Sequence, residues 1–279
     1  MMKILSPAKV NLHLRVLRKR EDCYHDLATL MQKISLYDEL EFIPSGRGID
    51  LQCPGASLPE NEDNIIVRAA KKIFSFAGFS SGVSITLHKT IPIAAGLGGG
   101  SSNAAMTLLA LNKLFGFNYS EEELRKLGAT LGADVPFFLF PGPAWAFGIG
   151  DRLEAAPDVP SLWFVLVNPG FEVSTKVIYQ NLNLGLTNQI IHYSIPRFLT
   201  REDLVAGLHN DLESVTLKMH PSLQEIKEQL LSNGAEGALM SGSGPTVFGI
   251  FDSKDKALEA INVLEKSTSW SVFLCRSID

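Results

Sequence analysis

Gly96, Gly98, Gly99 and Gly100 run directly into Ser101, Ser102 and Asn103, and an apolar helical pattern follows them. Glycine lets the backbone approach a ligand closely and take positive φ at little steric cost. A helix starting at this point offers unpaired N–H groups and the positive end of its dipole to an anion. The lead-in, Ile91-Pro92-Ile93-Ala94-Ala95, comes from a strand-like stretch, Val83 to His88. Strand, glycine-rich loop and helix in that order make a phosphate cradle. Two familiar loops are excluded by what is missing. No lysine follows Gly100, as a Walker A loop requires. The dinucleotide spacing G-x-G-x-x-G also fails, because its third position falls on Ser101 from Gly96 or on Asn103 from Gly98. A flexible surface hairpin without a ligand is the alternative reading.

Three other places carry groups suited to chemistry. Asp134 lies between Ala133 and the apolar run Val135-Pro136-Phe137-Phe138, where a carboxylate is costly unless paired or used. It reads as a base that takes or orients a hydroxyl proton, as a helix N-cap ahead of a proline, or as both. Lys9 follows Ser6-Pro7-Ala8. It is either a solvated lysine or a cation that holds a buried Asp134 ionised and neutralises charge on a moving phosphoryl group. Positioning and electrostatics are most of what phosphoryl transfer needs. Tyr24-His25 follows a charged turn, Arg18 to Asp22, and is too short to decide alone. Ser241-Gly242-Ser243-Gly244-Pro245 lies between two strand patterns, as a tight hairpin or a second wall around phosphates.

The elements that must position these groups can be read from periodicity. Val10, Leu12, Leu14 and Val16 alternate with Asn11, His13 and Arg15, the signature of a half-buried strand. Lys9 and Asn11 then share its polar face. Leu36 to Ile43 is a further strand and Asn64 to Phe76 a helix. Ser102 to Phe115 has helical spacing and stops at Gly116. Ser120 opens another helix to about Leu131, with Glu123 placed for a capping box. A proline-containing break at Pro157 to Pro160 is the expected domain boundary. Beyond it come a strand, Leu162 to Val167, helices near Arg201 to Met219 and Ser222 to Leu231, a strand Thr246 to Phe251, a helix Lys254 to Lys266 and a last strand, Trp270 to Cys275. That alternation predicts a small α/β sandwich beside the first domain, with a ligand cleft between them.

The bulk numbers agree with an ordinary globular protein. The 279 residues are 46% hydrophobic and 20% charged, with a net charge of -5. That charge argues against nucleic acid or an anionic membrane as the main partner. Neither a signal peptide nor a membrane span is expected. Cys23, Cys53 and Cys275 are widely spaced and form no CxxC, so they read as free thiols of a reducing cytoplasm rather than metal ligands.

Taken together, the residues resemble the GHMP kinase superfamily, in three ordered blocks: Pro7-Ala8-Lys9-Val10-Asn11-Leu12, Gly96-Leu97-Gly98-Gly99-Gly100-Ser101-Ser102, and Ser241-Gly242-Ser243-Gly244-Pro245. Lys9 with Asn11, Tyr24-His25, Gly132-Ala133-Asp134-Val135-Pro136 and Asn64-Ile65-Ile66-Val67-Arg68-Ala69-Ala70 are similar to the branch acting on cytidine-diphosphate methylerythritol in non-mevalonate isoprenoid synthesis. The resemblance implies an α+β, two-domain fold: a ribosomal-S5-like α/β domain over residues 1–157, a ferredoxin-like α/β sandwich over 158–279, and an active site in the cleft. It implies ATP, as its magnesium complex, phosphorylating a hydroxyl of that small molecule. Asp134 would be the base and Lys9 its electrostatic partner. Pro92, Ile93, Ala94, Ala95, Gly96, Leu97, Gly98, Gly99, Gly100, Ser101 and Ser102 would hold the triphosphate, with Ser102 near magnesium and no other metal ligand named. Asn64 and Lys89 would line the adenine. Asn11 would help bind the acceptor, His25 would hydrogen-bond cytosine, and Tyr24 and Tyr179 would stack on it. A cytoplasmic monomer or weak homodimer is expected. The chain departs from the family pattern at Cys23, usually glycine, and at Ile93-Ala94-Ala95, usually richer in glycine or methionine. A homoserine or mevalonate kinase, or a nucleotide-binding protein without turnover, are the rival readings.

Overall fold

The computed structural model describes residues 1–182, 193–267 and 269–279, and they form two compact units built of interleaved segments. The first comprises Met1–Ala8, Leu36–Ile91 and Gly98–Pro141. Strands β1 (Met2–Lys19) and β2 (His25–Ser45) are long enough to contribute residues to both units. In the first unit, β2 is followed by β3 (Ile49–Gln52), α1 (Ile65–Phe76), β4 (Gly82–His88), α2 (Gly99–Leu114), α3 (Glu121–Ala129) and the short α4 (Val135–Phe138). β4 pairs antiparallel with β2, Ile85 facing Phe42, and parallel with β3, Ile85 facing Leu51. Phe42, Leu40, Ile66, Ile73, Leu108 and Leu111 are fully buried in this unit.

The helices start where local chemistry says they should. Asn64 caps α1 by accepting from the Ile66 N–H at 2.9 Å. Ser120 and Glu123 form the reciprocal capping box of α3. α2 begins three residues earlier than its apolar periodicity suggests, because Gly99 and Gly100 already lie in its first turn.

The second unit comprises Lys9–Ser35, Pro92–Leu97 and Gly142–Asp279. Its further elements are β5 (Ala144–Gly148), β6 (Arg152–Ala155), β7 (Trp163–Asn168), α5 (Thr175–Asn181), α6 (Arg201–Ala206), β8 (His209–Asn210), α7 (Glu213–Met219), α8 (Ser222–Ser232), β9 (Gly237–Met240), β10 (Val247–Phe251), α9 (Lys254–Ser267) and β11 (Ser271–Ile278). β7 lies between β11 and β10, antiparallel to both, and β9 extends the sheet as the hairpin partner of β10. Leu223, Ile226 and Leu230 of α8 and Ala257, Ala260 and Leu264 of α9 join Val165, Val167 and Val247 in one apolar core. β5 pairs antiparallel with β2, Thr29 facing Ala146, and β8 pairs parallel with β1, His13 facing His209.

Two expectations are corrected. The alternation of Val10 to Val16 predicts a strand with one wet face, yet Ser6 through Leu14 are buried on both. Lys9 and Asn11 can be buried there because hydrogen bonds replace their water. The helix expected from Arg201 to Met219 is two helices with β8 between them. α6 stops at Gly207, where a side chain would come within 2.2 Å of the Phe198 ring. No helix is long and apolar enough to cross a membrane among the described residues, and all three cysteines are free thiols.

Candidate active site

In the second unit, the loop Pro92–Leu97 is pinned by its carbonyl groups. Gly96 O accepts from Lys9 Nζ at 2.9 Å and from Ser241 Oγ at 2.9 Å, while Leu97 O accepts from the Lys9 backbone N–H at 2.9 Å. Gly96 has φ +75°, and a Cβ there would lie 2.0 Å from Ser241 O. Only glycine fits that approach. Ala94 also takes positive φ, 50°, a conformation that L side chains adopt at a cost. The loop Ser241–Pro245 closes the β9–β10 hairpin, as its bland reading had it, and also lies against Gly96.

In the first unit, Gly98 precedes α2 as its left-handed N-cap residue, with no side chain capping the helix. No acidic residue occupies the first turn. Ser102 N donates to Gly98 O at 2.9 Å, so the N–H groups before it are the helix's open donors. This is the local arrangement that attracts a phosphate. Ser102 itself is fully buried and accepts from Ser6 Oγ at 2.8 Å. Among the described residues no cluster of three or more His, Cys, Asp or Glu side chains is placed to hold a metal ion.

Lys9 and Asn11 are brought together in the second unit. Lys9 Nζ donates to Asn11 Oδ1, and Asn11 Nδ2 donates to Thr29 Oγ1 at 2.9 Å. Asn11 N donates in turn to Ser241 Oγ at 3.3 Å. All four side chains are nine-tenths or more buried. In the first unit, Asp134 stands just ahead of α4, half-buried, with φ -81° and ψ -12°. It holds the cap position expected of it, yet its carboxylate makes no capping hydrogen bond.

The two residues expected on the adenine side are both held by their own unit. Asn64 uses both ends of its amide, Oδ1 on Ile66 N and Nδ2 on Pro59 O at 2.8 Å. Lys89 Nζ lies 2.9 Å from Asp38 Oδ2 and donates to Ile91 O. Burial lowers the Lys89 pKa from its ordinary value, and the Asp38 charge opposes that shift.

The residues expected around a pyrimidine gather in the second unit. The His25 and Tyr179 rings lie 5.0 Å apart, inclined by 31°. Burial, aided by the Lys19 charge, keeps the His25 pKa below its ordinary value and so favours the neutral ring. Tyr24 is exposed at 60%, a ring presented to solvent. Its backbone is fixed: Tyr24 N donates to Asp22 Oδ1 at 3.1 Å and Tyr24 O accepts from Arg20 N at 2.8 Å. Between them, Cys23 adopts φ +67°, the conformation for which the usual glycine is suited.

Several supporting residues escaped the sequence. Thr29 and Asp38 contact site residues across long separations, and no local pattern marks them. His13 could have been flagged, being a histidine inside an apolar alternation. Its Nδ1 donates to Gly207 O at 2.8 Å, and its Nε2 accepts from Tyr193 OH at 2.6 Å.

Comparison with known proteins gives the family. The family model for the GHMP kinases N terminal domain matches residues 64–142, and the one for the GHMP kinases C terminal matches residues 199–268. A 4-diphosphocytidyl-2-C-methyl-D-erythritol kinase of Syntrophus aciditrophicus (strain SB) is 78% identical over 279 residues, covering 100% of both chains. A crystal structure of 4-(cytidine 5'-diphospho)-2C-methyl-D-erythritol kinase matches with TM-score 0.84 and 37% identity over 100% of both chains. A homoserine kinase from Cytophaga hutchinsonii, at TM-score 0.72 and 20% identity over 99% of this chain and 94% of its own, shares the fold. With both domain models matched and a full-length relative at that identity, the chain belongs to the GHMP kinase superfamily and has its two-domain, mixed α/β fold.

Proposed function

We propose that the protein transfers the γ-phosphoryl group of ATP to the 2-hydroxyl of 4-diphosphocytidyl-2-C-methyl-D-erythritol, giving ADP and the 2-phosphate, a step of non-mevalonate isoprenoid precursor synthesis. Membership of the kinase superfamily supports the phosphoryl transfer. The observation that carries the acceptor is the His25–Tyr179 pair, 5.0 Å between ring centroids. A neutral imidazole can exchange hydrogen bonds with a cytosine edge, and a tyrosine face can stack on its plane. Homoserine and mevalonate offer no base for either contact.

In this reading residues Pro92 to Ser102 hold the triphosphate through backbone N–H groups, and Asn64 and Lys89 shape the adenine end. Asn11 and Tyr24 complete the acceptor site. Asp134 accepts or orients the acceptor's hydroxyl proton, and Lys9 places positive charge where the phosphoryl group moves. Magnesium, held mainly by the nucleotide's own phosphates as this cation commonly is, would neutralise charge on them, with Ser102 as the protein hydroxyl that would approach it. Residues 1–157 then act as the nucleotide domain and 158–279 as its partner domain. The setting is a cytoplasmic monomer or weak homodimer working on a small molecule rather than on nucleic acid or membrane, which the net charge of -5 supports.

ADP release with ATP and magnesium, measured with the cytidyl acceptor, mevalonate and homoserine in turn, tests the reading. Turnover with the cytidyl acceptor alone is expected. Turnover with either other acceptor would overturn the substrate assignment. Asp134→Asn is expected to bind ATP but lose most of kcat; unchanged turnover would remove Asp134 from the mechanism.

A further inference from the structure

Lys9 is held by a hydrogen-bond chain whose polarity is dictated from one end. An ammonium has donors and no acceptor. The Asn11 atom facing Lys9 Nζ is therefore Oδ1, which leaves Nδ2 directed at Thr29 Oγ1, 2.9 Å away. Thr29 must accept there. Its single proton is thus committed elsewhere, and the His13 carbonyl receives it at 2.8 Å. Lys9, Asn11, Thr29 and His13 O form one directional relay that ends on a strand backbone.

Burial makes the relay consequential. Lys9 is 4% exposed, Asn11 3% and Thr29 3%, so a lost partner is not replaced by bulk water. Thr29 also sits on a fixed strand, facing Ala146 across the β2–β5 ladder. A flipped Asn11 amide would set Nδ2–H against the Lys9 ammonium, donor against donor. The Lys9 charge forbids that flip, and the Thr29 hydroxyl gives the remaining Nδ2–H a buried acceptor on a fixed strand.

We propose that Thr29 is a positioning residue for phosphoryl transfer: by fixing the Asn11 amide it places the Lys9 ammonium, although it touches no reacting atom itself. The proposal rests on the catalytic reading of Lys9 given above. Thr29→Val keeps the shape and removes the hydroxyl; Thr29→Ser keeps the hydroxyl. Thr29→Val is expected to lose about tenfold in kcat, the scale of one lost buried hydrogen bond. KM for ATP should stay within about twofold, since neither Thr29 nor Asn11 is placed on the nucleotide, while KM for the acceptor rises with the freed Asn11 amide. Thr29→Ser should restore kcat.

In the unaltered protein, the Asn11 side-chain amide protons should exchange slowly by 15N-resolved NMR, a readout that needs no folded variant. Rapid exchange would overturn the relay, as would a Thr29→Val enzyme with full kcat or a Thr29→Ser enzyme as slow as Thr29→Val. Lys9→Met separates the two levels. If Lys9→Met kills turnover while Thr29→Val leaves it intact, the relay alone fails. If Lys9→Met turns over normally, the catalytic role of Lys9 fails and the proposal falls with it. In the Lys9→Met background, Thr29→Val should cost nothing further.

Discussion

Lys89 and Asp38 form a buried ion pair, Nζ to Oδ2 2.9 Å, in which the carboxylate is fully inaccessible to solvent. The other oxygen, Oδ1, accepts from Thr90 N and Ile91 N, each at 2.8 Å. Asp38 therefore fixes the end of β4 where the chain turns toward the glycine-rich loop. Removing it would strand the Lys89 charge and two backbone N–H groups together. Asp38→Ala should cost about 3–5 kcal/mol of stability, the range for a broken buried pair. Lys89→Met should cost less, because Asp38 keeps its two N–H donors. Urea unfolding checks both. An Asp38→Ala variant within about 1 kcal/mol of the parent would show that the pair holds nothing in place.

Cys23 stores strain in the turn that presents Tyr24. Its φ of +67° is a conformation that side chains other than glycine resist. What holds it is a charged clamp. Arg20 forks onto Asp22 at 2.8 and 3.1 Å and also reaches Asp26 at 3.1 Å, where Arg18 binds the other oxygen. Cys23→Gly should stabilise the protein by about 1 kcal/mol, since that substitution removes the strain at this φ. Denaturant titration measures it. A destabilised Cys23→Gly protein would mean that the thiol makes a contact worth more than the strain.

The pH dependence of stability has a definite sign. Burial holds the His13 pKa below its ordinary value of 6.5, against the Gly207 carbonyl that favours the charged ring. As pH falls below 6.5, the unfolded chain takes up a proton that the folded chain resists. Stability is therefore lost as pH drops from about neutral through the folded value. Arg15 and His209 add to the shift, and Asp211 opposes it. His25, also held low by burial, contributes in the same direction. The unfolding free energy should be lower at about pH 5.5 than at about pH 7.5, and His13→Gln should shrink that difference without abolishing it. An equal slope in His13→Gln would place the effect elsewhere.

What the sequence disclosed and what it hid differ by distance along the chain. The Ser120–Glu123 box is a contact over three residues, so residue type at a fixed offset reveals it. The glycine run was legible for the same reason, although α2 starts at Gly99, three residues ahead of its apolar pattern. Ser6 to Ser102 spans 96 positions, Lys9 to Gly96 spans 87, and Asn11 to Ser241 spans 230. Nothing local marks those partners. Resemblance supplied Lys9, Asn11 and Ser241 as motif members, but not what they bond to. The wet face assigned to Lys9 and Asn11 failed for one physical reason. Alternation reports polarity, and a polar group buried with partners reads like an exposed one. The helix expected across Arg201 to Met219 failed differently, since Gly207 and Asn210 break it through tertiary contacts: Asn210 Nδ2 donates to Met240 O and Gly242 O, each at 2.8 Å.

Gly96 and Gly100 belong to one motif and have opposite tolerances. A Cβ on Gly96 would lie 2.0 Å from the Ser241 carbonyl oxygen, and its φ of +75° disfavours any side chain. Gly96→Ala must push the loop off Ser241, which breaks the carbonyl contacts that Gly96 makes with Lys9 Nζ and Ser241 Oγ. Gly100 sits in the first turn of α2, and its nearest neighbour to a new Cβ is Ile65 Cγ2 at 3.9 Å, ordinary contact. There the substitution fits and lowers the conformational entropy of the unfolded chain, a gain of about 0.4–1 kcal/mol. Gly96→Ala should therefore lose stability by a few kcal/mol (about 1–3 for such strain alone) and raise KM for ATP, while Gly100→Ala melts higher than the parent. Thermal unfolding of the two variants side by side decides the matter. If Gly96→Ala melts like the parent, the loop is not clamped to Ser241. If Gly100→Ala melts lower, the first turn of α2 is more crowded than its 3.9 Å clearance allows.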